Sequence, residues 1–139
     1  KVARLGRDLR IVANGPGLER VFGARLVKVG GMPIANVWQH VLTWTSADEL
    51  DELRNSEALI YLSRGYALHG LGVTAERSHV VHTLEDEAGR AFDLDMSGLQ
   101  PGQDANLKAP GEDKALRLMR KDATFACDNP RPRNAVYCV

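Results

Sequence analysis

An α+β fold is predicted for this chain by three observations. Short runs of alternating apolar residues flank turn signals near both ends of the chain. Apolar residues recur at helical spacing over residues 34–42. The strand-like and helix-like stretches are segregated along the chain instead of alternating regularly as in a parallel α/β fold. With 139 residues, the chain has the length for one domain with a proper core plus a short further piece.

The first strand is expected at residues 9–12, Leu9-Arg10-Ile11-Val12, which meet the dense turn signal Asn14-Gly15-Pro16-Gly17. A second is expected over residues 24–29 before Gly30-Gly31, with Leu26 and Lys28 on one side and Val27 and Val29 on the other. After Pro33, the residues Ile34, Val37, Trp38, Val41 and Leu42 form the stripe of an amphipathic helix, and proline suits its first turn. Ser46-Ala47-Asp48-Glu49 is a capping box, so a second helix is expected to start there and to carry Leu50 and Leu53 inward. Further helix follows over residues 58–62 and 66–70, broken around Gly65 and stopped by Gly70 and Gly72. Residues 78–84 and 91–96 flank an acidic turn containing Gly89, and Phe92, Leu94 and Met96 alternate with Ala91, Asp93 and Asp95; this predicts a hairpin. Residues 99–114 turn to Gly, Pro, Asp, Gln and Asn and read as a linker. Residues 115–139 then hold a short segment and a second hairpin around Asn129-Pro130-Arg131-Pro132-Arg133-Asn134.

Composition narrows the function classes. The chain carries 18 basic and 18 acidic residues, which supply no overall field to draw nucleic acid or an anionic membrane. No apolar run approaches the roughly 18 residues that a spanning helix requires. Neither Gly15-Pro16-Gly17 nor Gly30-Gly31 matches a phosphate loop or a dinucleotide fingerprint, so no cofactor is expected. Lys1 at the start and the apolar run at residues 135–139 lead us to expect a processed or truncated chain whose last strand led into another domain.

Candidate chemistry is sparse. His79 and His82 sit three apart on an expected strand and face opposite sides, which argues against a shared metal. Glu85, Asp86, Glu87, Asp93 and Asp95 cluster at the hairpin but lack calcium-loop spacing, and read as a solvated tip. A small metal-dependent hydrolase built on these groups is therefore the weaker rival. None of Ser46, Ser56, Ser63, Ser78 and Ser97 lies in a nucleophile elbow, and no catalytic residue is assigned. Cys127 and Cys138 stand equidistant from the centre of the second expected hairpin, so they would oppose each other across it; a disulfide and two separate buried thiols both remain open.

Residues 22–37, Phe22-Gly23-Ala24-Arg25-Leu26-Val27-Lys28-Val29-Gly30-Gly31-Met32-Pro33-Ile34-Ala35-Asn36-Val37, resemble the PDZ-like segment ahead of the catalytic core in tail-specific serine peptidases, a tricorn-core related family. Leu68-His69-Gly70-Leu71-Gly72-Val73 is similar to that family's helix closing on a Leu-Gly-Val turn, and the hairpin and Asn134-Ala135-Val136-Tyr137-Cys138-Val139 follow in the family's order. The resemblance implies a PDZ-like, small, partly open β-barrel or sheet with two to three helices in residues 1–98, and a C-terminal hairpin in residues 115–139 leading towards a peptidase core. It implies a non-catalytic, peptide-handling role in an extracellular or periplasmic serine peptidase, whose catalytic serine and lysine would lie on that downstream core. The implied partners are a peptide or unfolded segment and the core itself. A peptide would add to a sheet edge beside a helix, in a groove between residues 9–12 and the helix bearing Val37 and Val41. Leu9, Ile11, Val37 and Val41 are the candidate binding residues, and the competing reading makes them core. A free-standing scaffold or adaptor domain is the alternative function.

Overall fold

The computed structural model describes residues 1–46, 50–99, 103, 106, 107, 127, 128, 137 and 138. It divides into two units, Lys1–Leu107 and Lys108–Val139. The first is an α+β fold with an open antiparallel sheet of six strands and three helices. Its strands are β1 (Val2–Leu5), β2 (Asp8–Ile11), β3 (Arg25–Val29), β4 (Met32–Pro33), β5 (His79–Glu85) and β6 (Ala91–Ser97). The helices are α1 (Ile34–Leu42), α2 (Asp51–Leu62) and α3 (Gly65–Gly70). Neighbouring strands run β1-β2-β3-β5-β6, with the short β4 folded back on β3.

The strand before β2 was not anticipated from the sequence. Val2-Ala3-Arg4-Leu5 is too short and too mixed to signal itself, and it is fixed by its partner: Val2 faces Ile11 and Arg4 faces Leu9 across a tight turn at Gly6-Arg7. On β3 the expected alternation fails. The register slips between Leu26 and Lys28 against β5, so Leu26 and Val29 both point into the core although they stand three positions apart. A bulge does this by inserting one unpaired residue and turning the following side chains over.

The first helix forms as its stripe dictates: Val37 and Val41 are fully buried, while Ile34, Trp38 and Leu42 pack half-buried against the same cluster. Pro33 stands just ahead of Ile34, where its missing N–H costs nothing. The second helix begins at Asp51, after the anticipated capping box, of which residues 47–49 lie outside the described residues. It runs unbroken to Leu62 and faces the core with Ala58 and Leu62; Leu50 and Leu53, expected inside, are more than half exposed. Leu53 lies roughly opposite the face that Ala58 and Leu62 define, and Leu50 precedes the first turn in an extended conformation.

Those side chains close one core between the helices and one face of the sheet. It contains Leu26, Val29, Val37, Val41, Leu62, Leu68, Val80, Leu84 and Leu94. Each such Val or Leu contributes about 1.5–3 kcal/mol of burial. The predicted hairpin is β5–β6, in register from His79 opposite Ser97 to Glu85 opposite Ala91. At its tip the Asp86 Oδ1 accepts 2.9 Å hydrogen bonds from the main-chain N–H groups of Ala88 and Arg90. These bonds, that from Arg90 foremost, hold the Asp86 carboxyl below its ordinary range, so this acidic residue is explained as turn architecture.

In the second unit, β7 (Cys127–Asp128) and β8 (Tyr137–Cys138) pair antiparallel, with Cys127 opposite Cys138. The segment expected at residues 115–119 lies outside the described residues, as does most of the linker expected at 99–114.

Candidate functional site

Every main-chain group of a strand must pair or meet solvent, so the sheet's two end strands are where an extended ligand can add. β2 is not one of them. It pairs with β1 along its length, and on its other side Ile11 donates to the Ala24 carbonyl at 3.0 Å and accepts from Gly23 at 2.9 Å. β1 is an end strand. Val12 donates to the Lys1 carbonyl at 2.9 Å, which sets the alternation of the β1–β2 ladder: Ala3 and Leu5 bond inward, while the main-chain groups of Val2 and Arg4 point away from β2.

A groove of about 260 Å³ lies between this hairpin, β3 and the first helix. Its helix wall is Ile34, Ala35, Trp38 and Gln39, four residues on one face of α1; its strand wall includes Arg4, Leu9 and Leu26, with Arg7, Asp8 and Arg25 around them. The four candidate residues divide here. Leu9 borders the groove, yet only 7 % of it is exposed. Val37 and Val41, at 0 %, face into the core and do not line the groove. Ile11, half-buried, borders a different cavity. Of the two readings the sequence leaves open for Val37 and Val41, binding surface or core, their burial fits the core. Trp38 and Gln39, the residues lining the groove, flank the buried stripe, and only the mixed character of the tryptophan hinted at it.

Charge in the groove is unevenly balanced. The Arg25 Nη2 lies 2.9 Å from both carboxylate oxygens of Glu85 across β3 and β5, and this pairing raises the pKa of Arg25. Arg10 likewise meets Asp8 at 2.9 Å. Among the described residues Arg4 has neutral partners alone: the Asn55 amide oxygen at 3.1 Å, the Gly6 carbonyl at 3.3 Å and the Trp38 ring, whose centroid is 5.8 Å away.

The second cavity, of about 200 Å³, sits on the core side of the sheet and is predominantly apolar. Val2, Ile11, Leu26, His82 and Met96, from five different strands, line it together with Leu62 and Leu68. Since the two end strands β1 and β6 both reach it, the sheet curls around it. His82 presents a buried Nδ1 with no hydrogen-bond partner among the described residues, and burial lowers its pKa against the weaker opposing pull of the Val80 main chain.

His79 points to the other face, 2.6 Å from Asp95. No cluster of three or more His, Cys, Asp or Glu side chains converges among the described residues. No helix of the described residues is long and apolar enough to cross a membrane. The fold and groove define a small α+β module in which the end strand β1 lies beside a helix. Comparison with protein-family models, curated proteins and solved structures finds no match to this chain.

Proposed function

We propose that the first unit is a non-catalytic peptide-binding module that takes an extended segment as an added strand on β1. The observation that carries this reading is the outward-facing main chain of Val2 and Arg4 on an end strand that also walls the groove against α1. A peptide laid there gains main-chain hydrogen bonds from β1 and places alternate side chains towards Trp38 and Ile34. This binding mode is the one implied by the resemblance to the PDZ-like part of tail-specific serine peptidases, and the substrate-handling role in such a peptidase is proposed with it. The groove's position supports moving the peptide from β2, whose two edges are filled, to β1.

The test uses Trp38 as reporter. In a Trp44→Phe background Trp38 is the only tryptophan, and a library of extended peptides is titrated against the full chain while its emission is followed. Saturable shifts are expected, and they are expected to vanish in Val2→Pro, which removes one outward N–H; proline is tolerated on an edge strand, so the fold should persist. Binding that survives Val2→Pro, with the fold intact by circular dichroism, would refute strand addition at β1.

A further inference from the structure

We propose that the groove beside β1 selects peptides bearing acidic side chains, with Arg4 and Arg7 as the selecting cations. This rests on the peptide-binding reading and adds to it the chemistry of the ligand.

Charge accounting carries the argument. Across the whole sequence 18 basic residues balance 18 acidic ones, so an unbalanced patch must be local. Of the charged groups lining the groove, Arg25 is neutralised by Glu85 and Asp8 by Arg10. That leaves Arg4 and Arg7. Arg4 donates only to uncharged oxygens, and Arg7 has no ionic or hydrogen-bonding partner among the described residues. Both side chains are exposed, so neither has given up its charge or its hydration to the fold.

Their positions suit a strand-like ligand. Arg4 belongs to the end strand itself, and Arg7 follows in the turn to β2. Guanidinium groups here would meet the side chains of a peptide running along β1, and their planar fork matches a carboxylate with two parallel hydrogen bonds. Arg4 is also held: its bond to Asn55 on α2 and its place over the Trp38 ring restrict its rotamers before any ligand arrives, which lowers the ordering cost of binding. The half-buried Ile34 and Trp38 offer apolar surface beside the two cations. The favoured ligand therefore carries acidic residues interspersed with apolar ones.

The experiment measures fluorescence polarisation of labelled, C-terminally amidated peptides of equal length and apolar content, with net charge −2, 0 and +2, against the full chain. The acidic peptide is expected to bind at least tenfold tighter than the neutral one at low salt, and this advantage is expected to shrink at 0.5 M salt, where exposed charges are screened. Arg4→Gln combined with Arg7→Gln is expected to abolish the charge preference, bringing the ratio of acidic-peptide to neutral-peptide affinity to about one. Equal affinities for acidic and neutral peptides, or an acidic preference that survives the double substitution, would overturn the charge selection and leave peptide binding standing. Selection of a free C-terminal carboxylate with no effect of acidic side chains would overturn it too, as would tighter binding of a single-stranded oligonucleotide through the same two arginines. Failure of every peptide, whatever its charge, would remove the peptide reading and this inference together.

Discussion

Gly65, the first residue of α3, lies with its Cα directly against the carbonyl oxygen of Arg77, so that a β-carbon there would run into the main chain. Helix propensity alone makes Gly→Ala favourable by about 1 kcal/mol. The contact reverses the sign, because carbonyl backbone cannot swing aside as a flexible side-chain tip can. Gly65→Ala is expected to destabilise the first unit by about 1–3 kcal/mol, a range typical of overpacking. Ser56→Ala on the exposed face of α2 is the control, expected to be neutral or slightly stabilising. Urea denaturation of both variants decides the matter, and a Gly65→Ala variant as stable as the parent would show that the approach is not tight.

Val37→Asp and Val41→Asp are expected to abolish the fold and not merely the binding. Both positions are fully enclosed, and an aspartate there would bury a carboxylate without a partner. Losses above about 4 kcal/mol are expected, enough to unfold a domain of ordinary stability. Trp38→Ala is the contrasting change: it removes groove surface from a half-buried position and should weaken ligand capture while the circular dichroism spectrum persists.

That contrast shows where the sequence was legible. Periodicity located α1 and the β5–β6 hairpin, because a buried stripe and a two-faced strand each impose their own repeat. It could not separate the stripe that packs from the flank that remains available, since Val37 and Trp38 are both apolar neighbours on one short helix. β1 escaped notice because four residues carry too few repeats. The side chains of β3 were misassigned because a bulge depends on what β5 presents opposite, which no local pattern records. Leu50 and Leu53 were read as inward for want of the partner face that Ala58 and Leu62 define. The unbalanced arginines of the groove are visible in the sequence only as ordinary surface charge; their significance comes from Glu85, sixty residues beyond Arg25, neutralising one arginine and not the others.

Cys127 and Cys138 occupy one cross-strand pair of β7 and β8. Opposed residues on antiparallel strands have Cβ atoms about 4.5–5.5 Å apart, near enough for a bridge after a small adjustment. In an oxidising compartment the two are expected to be joined, and in the chain-entropy model closing so short a loop adds roughly 2–3 kcal/mol. Mass spectrometry of unreduced peptides from exported protein is the check. Two alkylatable thiols in that material would dismiss the bridge.

His82 should make the first unit sensitive to mild acid. Its ring lies on the core side of β5, opposite Val29 on one neighbouring strand and Leu94 on the other, and its Nδ1 is buried without a partner among the described residues. Burial disfavours the imidazolium and lowers the pKa below the ordinary 6.5. In the unfolded chain the same ring titrates normally, so between the depressed folded value and 6.5 the unfolded state binds more protons. Stability is then full above about pH 6.5 and falls as the pH drops through that window towards the folded pKa. Replacing His82 with Leu removes both the titration and the orphaned acceptor, so this variant is expected to match or exceed the parent at pH 7.5, by up to about 1 kcal/mol. Its melting temperature should fall less steeply between pH 7 and pH 5. Carboxylates such as Asp86, also held at a lowered pKa, lose their contribution only at more acidic pH and affect both proteins alike. Parallel melting curves for parent and His82→Leu across this range would mean that the ring is hydrated or already partnered in solution, and that burial is not what governs its titration.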